Sequence, residues 1–174
     1  MKYFKKLVGE NVYLSPVNPE DYEIYTKWLN DANITKYLTI HNSFATLSGE
    51  KEFLENASKN DYVFAIVRND DTLLGNIGLH HLDYKNGTAT LGIFIGEEDN
   101  LSKGYGSEAI KLLVNFGFNE LRLHNIMLFV YDFNERAQKA YTKCGFKEFG
   151  RRHDAIFRDG KYHDEIYMEI VKED

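Results

Sequence analysis

One cysteine, Cys144, in 174 residues rules out an internal disulfide, and nothing in the chain calls for an oxidising compartment. Only two prolines interrupt it, and no low-complexity tract suggests disorder. Long apolar runs are missing too: none approaches the ~20 residues that span a bilayer, and no apolar run of signal-peptide length follows Met1-Lys2-Tyr3. Positive charge is the minority sign, with 21 Lys and Arg against 27 Asp and Glu and a net charge of −6. That balance argues against nucleic acid as the main ligand and suits a cationic one. These absences lead us to expect a cytoplasmic protein without a membrane or nucleic-acid partner. With 43% hydrophobic and 28% charged residues, the chain suits one globular domain spanning 1–174.

Turn and cap signals divide the chain. Val12-Tyr13-Leu14 reads as a short strand, and Asn18-Pro19-Glu20-Asp21 opens a helix to about Asn30, with Tyr22, Tyr25, Trp28 and Leu29 on one face. Asp31 to Leu47 has no clean period and reads as a packed or substrate-binding loop, after which Ser48 caps a short helix through Leu54. Tyr62 to Val67 and Leu73 to Leu79 form an antiparallel hairpin; Thr88 to Ile95 reads as a central strand covered on both faces. Gly75, Gly78 and Gly92 inside these strands mark bulges or a close backbone approach by a ligand. A helix follows to about Leu121, then a buried strand from Asn125 to Tyr131, then a helix capped by Asn134 and stopped by Gly145. Two final strands flank the Asp159-Gly160 turn, with Tyr162, Ile166, Met168 and Ile170 on one face.

The chemistry gathers at Lys103-Gly104-Tyr105-Gly106-Ser107, where two closely spaced glycines open a helix. Unpaired N–H groups at a helix start, helped by the macrodipole, make a cradle for a phosphate or pyrophosphate, and Lys103 adds a charge. Gly104-x-Gly106-x-x-Ala109 also fits a dinucleotide fingerprint. That fingerprint, however, follows its strand directly and sits near the start of an alternating α/β series. Here residues 97–103 intervene, and antiparallel hairpins lie at both ends of the chain.

The block from Leu101 to Ala109, together with Asn134-Glu135-Arg136-Ala137 and Ala140-Tyr141-Thr142-Lys143-Cys144-Gly145-Phe146, resembles GNAT-superfamily N-acetyltransferases. The likeness is to the branch that includes ribosomal-protein N-terminal and spermidine acetyltransferases. It implies an α/β (α+β) fold: a mixed, mostly antiparallel sheet with helices on both faces. It implies acetyl-CoA as cosubstrate, no metal, and direct transfer to a primary amine, either a protein or peptide N-terminus or a small amine. The pyrophosphate would rest on the amides of Lys103, Gly104, Tyr105, Gly106 and Ser107. The pantetheine arm would lie along Ile93 to Ile95, in a splay between the strands ending at Ile95 and Tyr131. Where the family's common pattern has Arg or Gln, this chain has Leu101, so pyrophosphate recognition would rest on main-chain N–H groups and Lys103.

By the same resemblance Tyr141 is the general acid for the leaving thiolate, although its place on a stripe with Ala137, Ala140 and Cys144 equally suits a core tyrosine. Asn134 would cap its helix and contact the pantetheine. Some relatives carry a Glu base where this chain has Thr90, which cannot take a proton. His80, Asp132 or a water chain is then the candidate base, a histidine being suited to proton transfer near neutral pH. His81 and His124 read as packed or solvent-facing, and Cys144 as an inert core thiol. The loop from Asp31 to Leu47 and the turn at Asp159 would select the acceptor. With Asp31 the only acid in that loop, no dense carboxylate trap for polyamines is evident. A catalytically silent acyl-CoA-binding regulator is the alternative of another class, and exposed aromatic strands could support a homodimer.

Overall fold

A computed structural model describes residues 2–60 and 62–173. Its centre is an eight-stranded sheet in the order β1-β2-β3-β4-β5-β6-β8-β7. The strands are β1 (Leu7–Val8), β2 (Val12–Pro16), β3 (Tyr62–Arg68), β4 (Leu73–Asp83), β5 (Thr88–Ile95), β6 (Asn125–Tyr131), β7 (Lys147–Arg158) and β8 (Lys161–Val171). Every neighbouring pair is antiparallel except β5 with β6. A parallel pair needs a crossover, and α4 (Tyr105–Asn119) provides it. The remaining helices are α1 (Tyr22–Leu29), α2 (Ala32–Thr35), α3 (Leu47–Asn60) and α5 (Glu135–Lys143).

Strand alternation sends successive side chains to opposite faces and so builds two cores. From β3, Phe64 and Ile66 join Leu79, Leu91, Leu128, Val130 and the inward stripe Ala109, Ile110 and Leu113 of α4. Val63, Ala65 and Val67 of the same strand face the other way, against Tyr25 and Trp28 of α1 and Leu54 of α3. The mixed, mostly antiparallel sheet with helices on both faces is as expected.

Several boundaries differ from the sequence reading. Helix α3 runs on to Asn60, and its start is capped by Thr46, whose hydroxyl accepts from Gly49 N at 3.1 Å, rather than by Ser48. Its apolar stripe is thin, Leu54 and Ala57 being its buried hydrophobics, so the polar residues beyond Leu54 hid its length. Strand β4 continues past Leu79 to Asp83, through a bulge at which His81 has a positive φ of 51°. Tyr162 does not share the burial of Ile166 and Met168: it is 63% exposed and packs edge-on against Phe157. The short β1 had no apolar pattern to announce it. Turn and cap chemistry was otherwise a good guide: Asn18 and Asn134 both cap, Gly145 takes φ 99°, and Asp159 and Gly160 take φ 48° and 80°, the left-handed pair of a two-residue hairpin turn.

Candidate active site

Strands β5 and β6 pair only at Thr88, Ala89 and Thr90, with Asn125, Ile126 and Met127. Beyond that point they part. Gly96 N donates to Leu74 O at 2.8 Å, so by alternation Phe94 and Gly92 also turn their polar groups toward β4. The backbone N–H and C=O groups of Ile93 and Ile95 therefore face the gap left by β6. Their side chains, half-buried, point to the α4 face.

The glycine cradle closes one end of this gap. Ser102 and Gly104 have φ of 60° and 87°, and Gly104 is the N-cap of α4 with no side chain to cap it. A Cβ on Gly104 would meet nothing within 4 Å, so the backbone conformation, not crowding, requires glycine there. Glu108, the acid of the first turn, is turned away: its Oε1 accepts from Asn11 N at 2.9 Å and its Oε2 from Asn11 Nδ2 at 3.1 Å. Burial alone would raise its pKa, but these hydrogen bonds outweigh burial and hold the carboxyl below its usual value. The first-turn amides of Tyr105, Gly106 and Ser107 are thus left for an external anion. A Cβ on Gly106 would lie 3.7 Å from Ile93 Cδ1 and 3.9 Å from Ile95 Cγ1, so cradle and open strand adjoin.

A cleft of about 920 Å³ runs through the splay. On the α4 and α5 side it is lined by Ser102, Gly104 to Ser107, Asn134 and Tyr141. Asn134 Oδ1 accepts from Ala137 N at 3.3 Å. Tyr141 is half-buried beside Phe146, and its phenol is pushed up to about 12, chiefly by burial and then by Cys144. It is a neutral hydroxyl, a donor and not a base, throughout the physiological range. The Cys144 thiol is raised by burial as well, and its S–H donates to Ser107 O at 3.5 Å.

The opposite, α2 and α3, side is lined by His80, Thr90, Tyr37, Leu38, Ile40, Phe53 and Tyr131. His80 and Thr90 are direct cross-strand partners. The His80 ring lies over two glycines: Cβ atoms added at Gly78 and Gly92 would come within 3.0 and 3.4 Å of its Nε2. That explains glycine in the middle of two buried strands, and it sets the imidazole at the mouth of the splay. The Asp31–Leu47 loop folds over this side, with Asp31 capping α2.

Two expectations need correction. Lys103 is exposed and does not line the cleft, while Ser102 and Leu101 do. Asp132 is committed elsewhere, hydrogen-bonded to His163 Nδ1 at 2.7 Å and accepting from Asp164 N at 3.2 Å. Sequence reasoning did not foresee that Tyr37 and Arg136 meet, the guanidinium lying 5.5 Å from the Tyr37 ring centroid. Their contact joins elements a hundred residues apart, and no local pattern signals it.

Residues 11–147 match the family model described as an acetyltransferase (GNAT) domain. The chain belongs to the GNAT acetyltransferase family. It is 29% identical to the SPbeta prophage-derived uncharacterized N-acetyltransferase YokL of Bacillus subtilis, over 95% of this chain and 93% of that protein. It is 28% identical to the spermidine N(1)-acetyltransferase of Escherichia coli K12, over 94% and 88%. A solved spermidine N-acetyltransferase from Vibrio cholerae, in complex with CoA and spermine, superposes with a TM-score of 0.84 at 24% identity, covering 94% of this chain and 96% of that one. This GNAT protein is an acyl-CoA-dependent N-acetyltransferase, and the dinucleotide reading of the glycines falls away.

Proposed function

We propose that one such domain spans residues 1–174 and moves the acetyl group of acetyl-CoA directly onto a primary amine held in the cleft. The observation that carries this is the coincidence of three features: open main-chain donors at Ile93 and Ile95, an uncapped α4 N-terminus beside them, and a neutral, half-buried phenol across the gap. Acetyl-CoA supplies an activated thioester.

Around it each residue has one task. The amides of Tyr105, Gly106 and Ser107, with Ser102 and Gly104 shaping the loop, hold the pyrophosphate. Ile93 and Ile95 flank the pantetheine, and one of their N–H groups polarises the carbonyl oxygen in a site sheltered from water. Asn134 fixes the start of α5 and so the position of Tyr141 within the same helix, about two turns on. Tyr141 gives its proton to the departing thiolate; a phenol held neutral by burial is suited to that and to nothing basic. His80, on the acceptor side, takes the proton released by the attacking amine. Thr90 opposite has no such capacity, and Asp132 is paired with His163.

Calorimetric titration with acetyl-CoA, followed by thiol-release assays over peptides, polyamines and other amines, tests the reading. Binding plus amine-dependent release is expected. Binding without release for any amine would favour the silent acyl-CoA-binding regulator, and no binding would remove the cradle.

A further inference from the structure

In the acceptor half of the cleft apolar walls stand beside Asn33, Thr39, Asn76, His80, His81 and Thr90, and no acid lines it among the described residues. Its apolar walls are Ile34, Leu38, Ile40, Phe53 and Tyr131, with the Tyr37 ring beside them. Among the described residues lining the whole cleft, Glu98 is the one carboxylate, and it belongs to the turn leading to the α4 cradle. Cations flank the acceptor walls instead. Arg136 lies over Tyr37. Arg158, 8% exposed at the tip of the last hairpin, donates from Nη2 to Leu38 O at 3.2 Å, and its Nε has no partner among the described residues. The neighbouring acids are already engaged: Asp132 with His163, and Glu165 with the Tyr167 hydroxyl and Arg152.

We propose, resting on the acetyl-transfer reading, that the acceptor is a primary monoamine carried on an apolar or aromatic body, and that polyamines are discriminated against. A second ammonium, held a few bonds from the reacting one, would be desolvated against Ile34, Leu38 and Ile40 with no carboxylate to receive it and two guanidinium groups nearby. An aliphatic or aromatic body buries its surface against the same walls and gains from doing so. The amine is either free or the N-terminus of a peptide whose first side chain is apolar; the shared chemistry is one nitrogen beside one apolar group.

The test compares phenethylamine, a short peptide with an N-terminal phenylalanine, and spermidine. Each is titrated calorimetrically into the CoA-loaded protein, and each is assayed for thiol release with acetyl-CoA. We expect phenethylamine, the peptide or both to bind and react with kcat/KM at least tenfold above spermidine, the better of the two naming the source of the amine. Ile40→Asp, at a site already 37% exposed, should shrink that ratio at least tenfold. Spermidine equal to or better than both aromatic amines, or an unchanged ratio in folded Ile40→Asp, overturns the inference while acetyl transfer stands. If the aromatic amines bind in the expected order and no amine releases thiol, the binding preference stands and the transfer reading fails. If neither aromatic amine binds, the inference fails.

Discussion

Replacing Glu50 by glutamine should stabilise the protein at alkaline pH and leave it unchanged in acid. Glu50 sits on the inward face of α3 near Tyr25, 7% exposed, and its Oε1 has no hydrogen-bond partner among the described residues. Burial raises its pKa from 4.5 to about 7. Between those values the folded protein binds more protons than the unfolded chain, so stability falls as pH rises through the window and the loss is complete above it. A displacement of that size corresponds to about 3 kcal/mol. Glutamine has nearly the shape of the protonated acid and cannot ionise. Glu50→Gln should therefore match the wild type at about pH 4.5 and gain about 2–3 kcal/mol at about pH 8, a rise of roughly 4–12 °C in Tm for a domain of this size. Urea unfolding followed by circular dichroism at the two pH values measures the difference directly. A pH-independent effect, or a less stable glutamine variant at high pH, would refute the buried-carboxylate reasoning.

Three other changes probe the site and its supports. Gly104→Ala meets no steric obstacle but must hold φ 87°, so it should cost about 1–2 kcal/mol and raise the KM for acetyl-CoA more than it lowers kcat; unchanged saturation curves would argue against the cradle. Gly96→Ala would drive a methyl group into the Trp28 ring and should destabilise by about 1–3 kcal/mol in thermal melts, a neutral effect being inconsistent with the α1 packing. His80→Gln should lower kcat/KM by about 10²-fold or more near neutral pH, with the loss shrinking as pH rises and more of the amine arrives already deprotonated. A uniform loss across the pH profile would leave His80 a packing residue over Gly78 and Gly92.

Legibility in the sequence followed contrast. Helix α5 was readable to the residue because Asn134 and Gly145 bracket a stripe of Ala137, Ala140, Tyr141 and Cys144 against charged neighbours. The glycine-led start of α4 was readable because Gly104 and Gly106 stand just ahead of the apolar stripe of Ile110 and Leu113. Helix α3 was truncated because most of its residues beyond Leu54 are polar, and the strand from Leu73 was cut short because a bulge at His81 breaks the alternation. What lay wholly outside reach was partnership across the fold. Asp132 looked available until His163, 31 residues later, was found against it. Lys103 looked like part of the cradle because it adjoins Gly104, yet its side chain is exposed and does not line the cleft. The Asp31–Leu47 loop was read as packed or substrate-binding, but that Arg158 donates to its Leu38 carbonyl follows only from the hairpin's docking.

The central claim is that the splay between β5 and β6 carries acetyl transfer with Tyr141 as proton donor. Mass spectrometry of amines incubated with acetyl-CoA and either wild type or Tyr141→Phe tests it most directly. The account predicts an acetylated amide from the wild type, and a rate lower by about 10²-fold or more in the variant with acetyl-CoA affinity and thermal stability nearly unchanged. Absence of any acetylated amine, or a Tyr141→Phe variant as fast as the wild type, would contradict it.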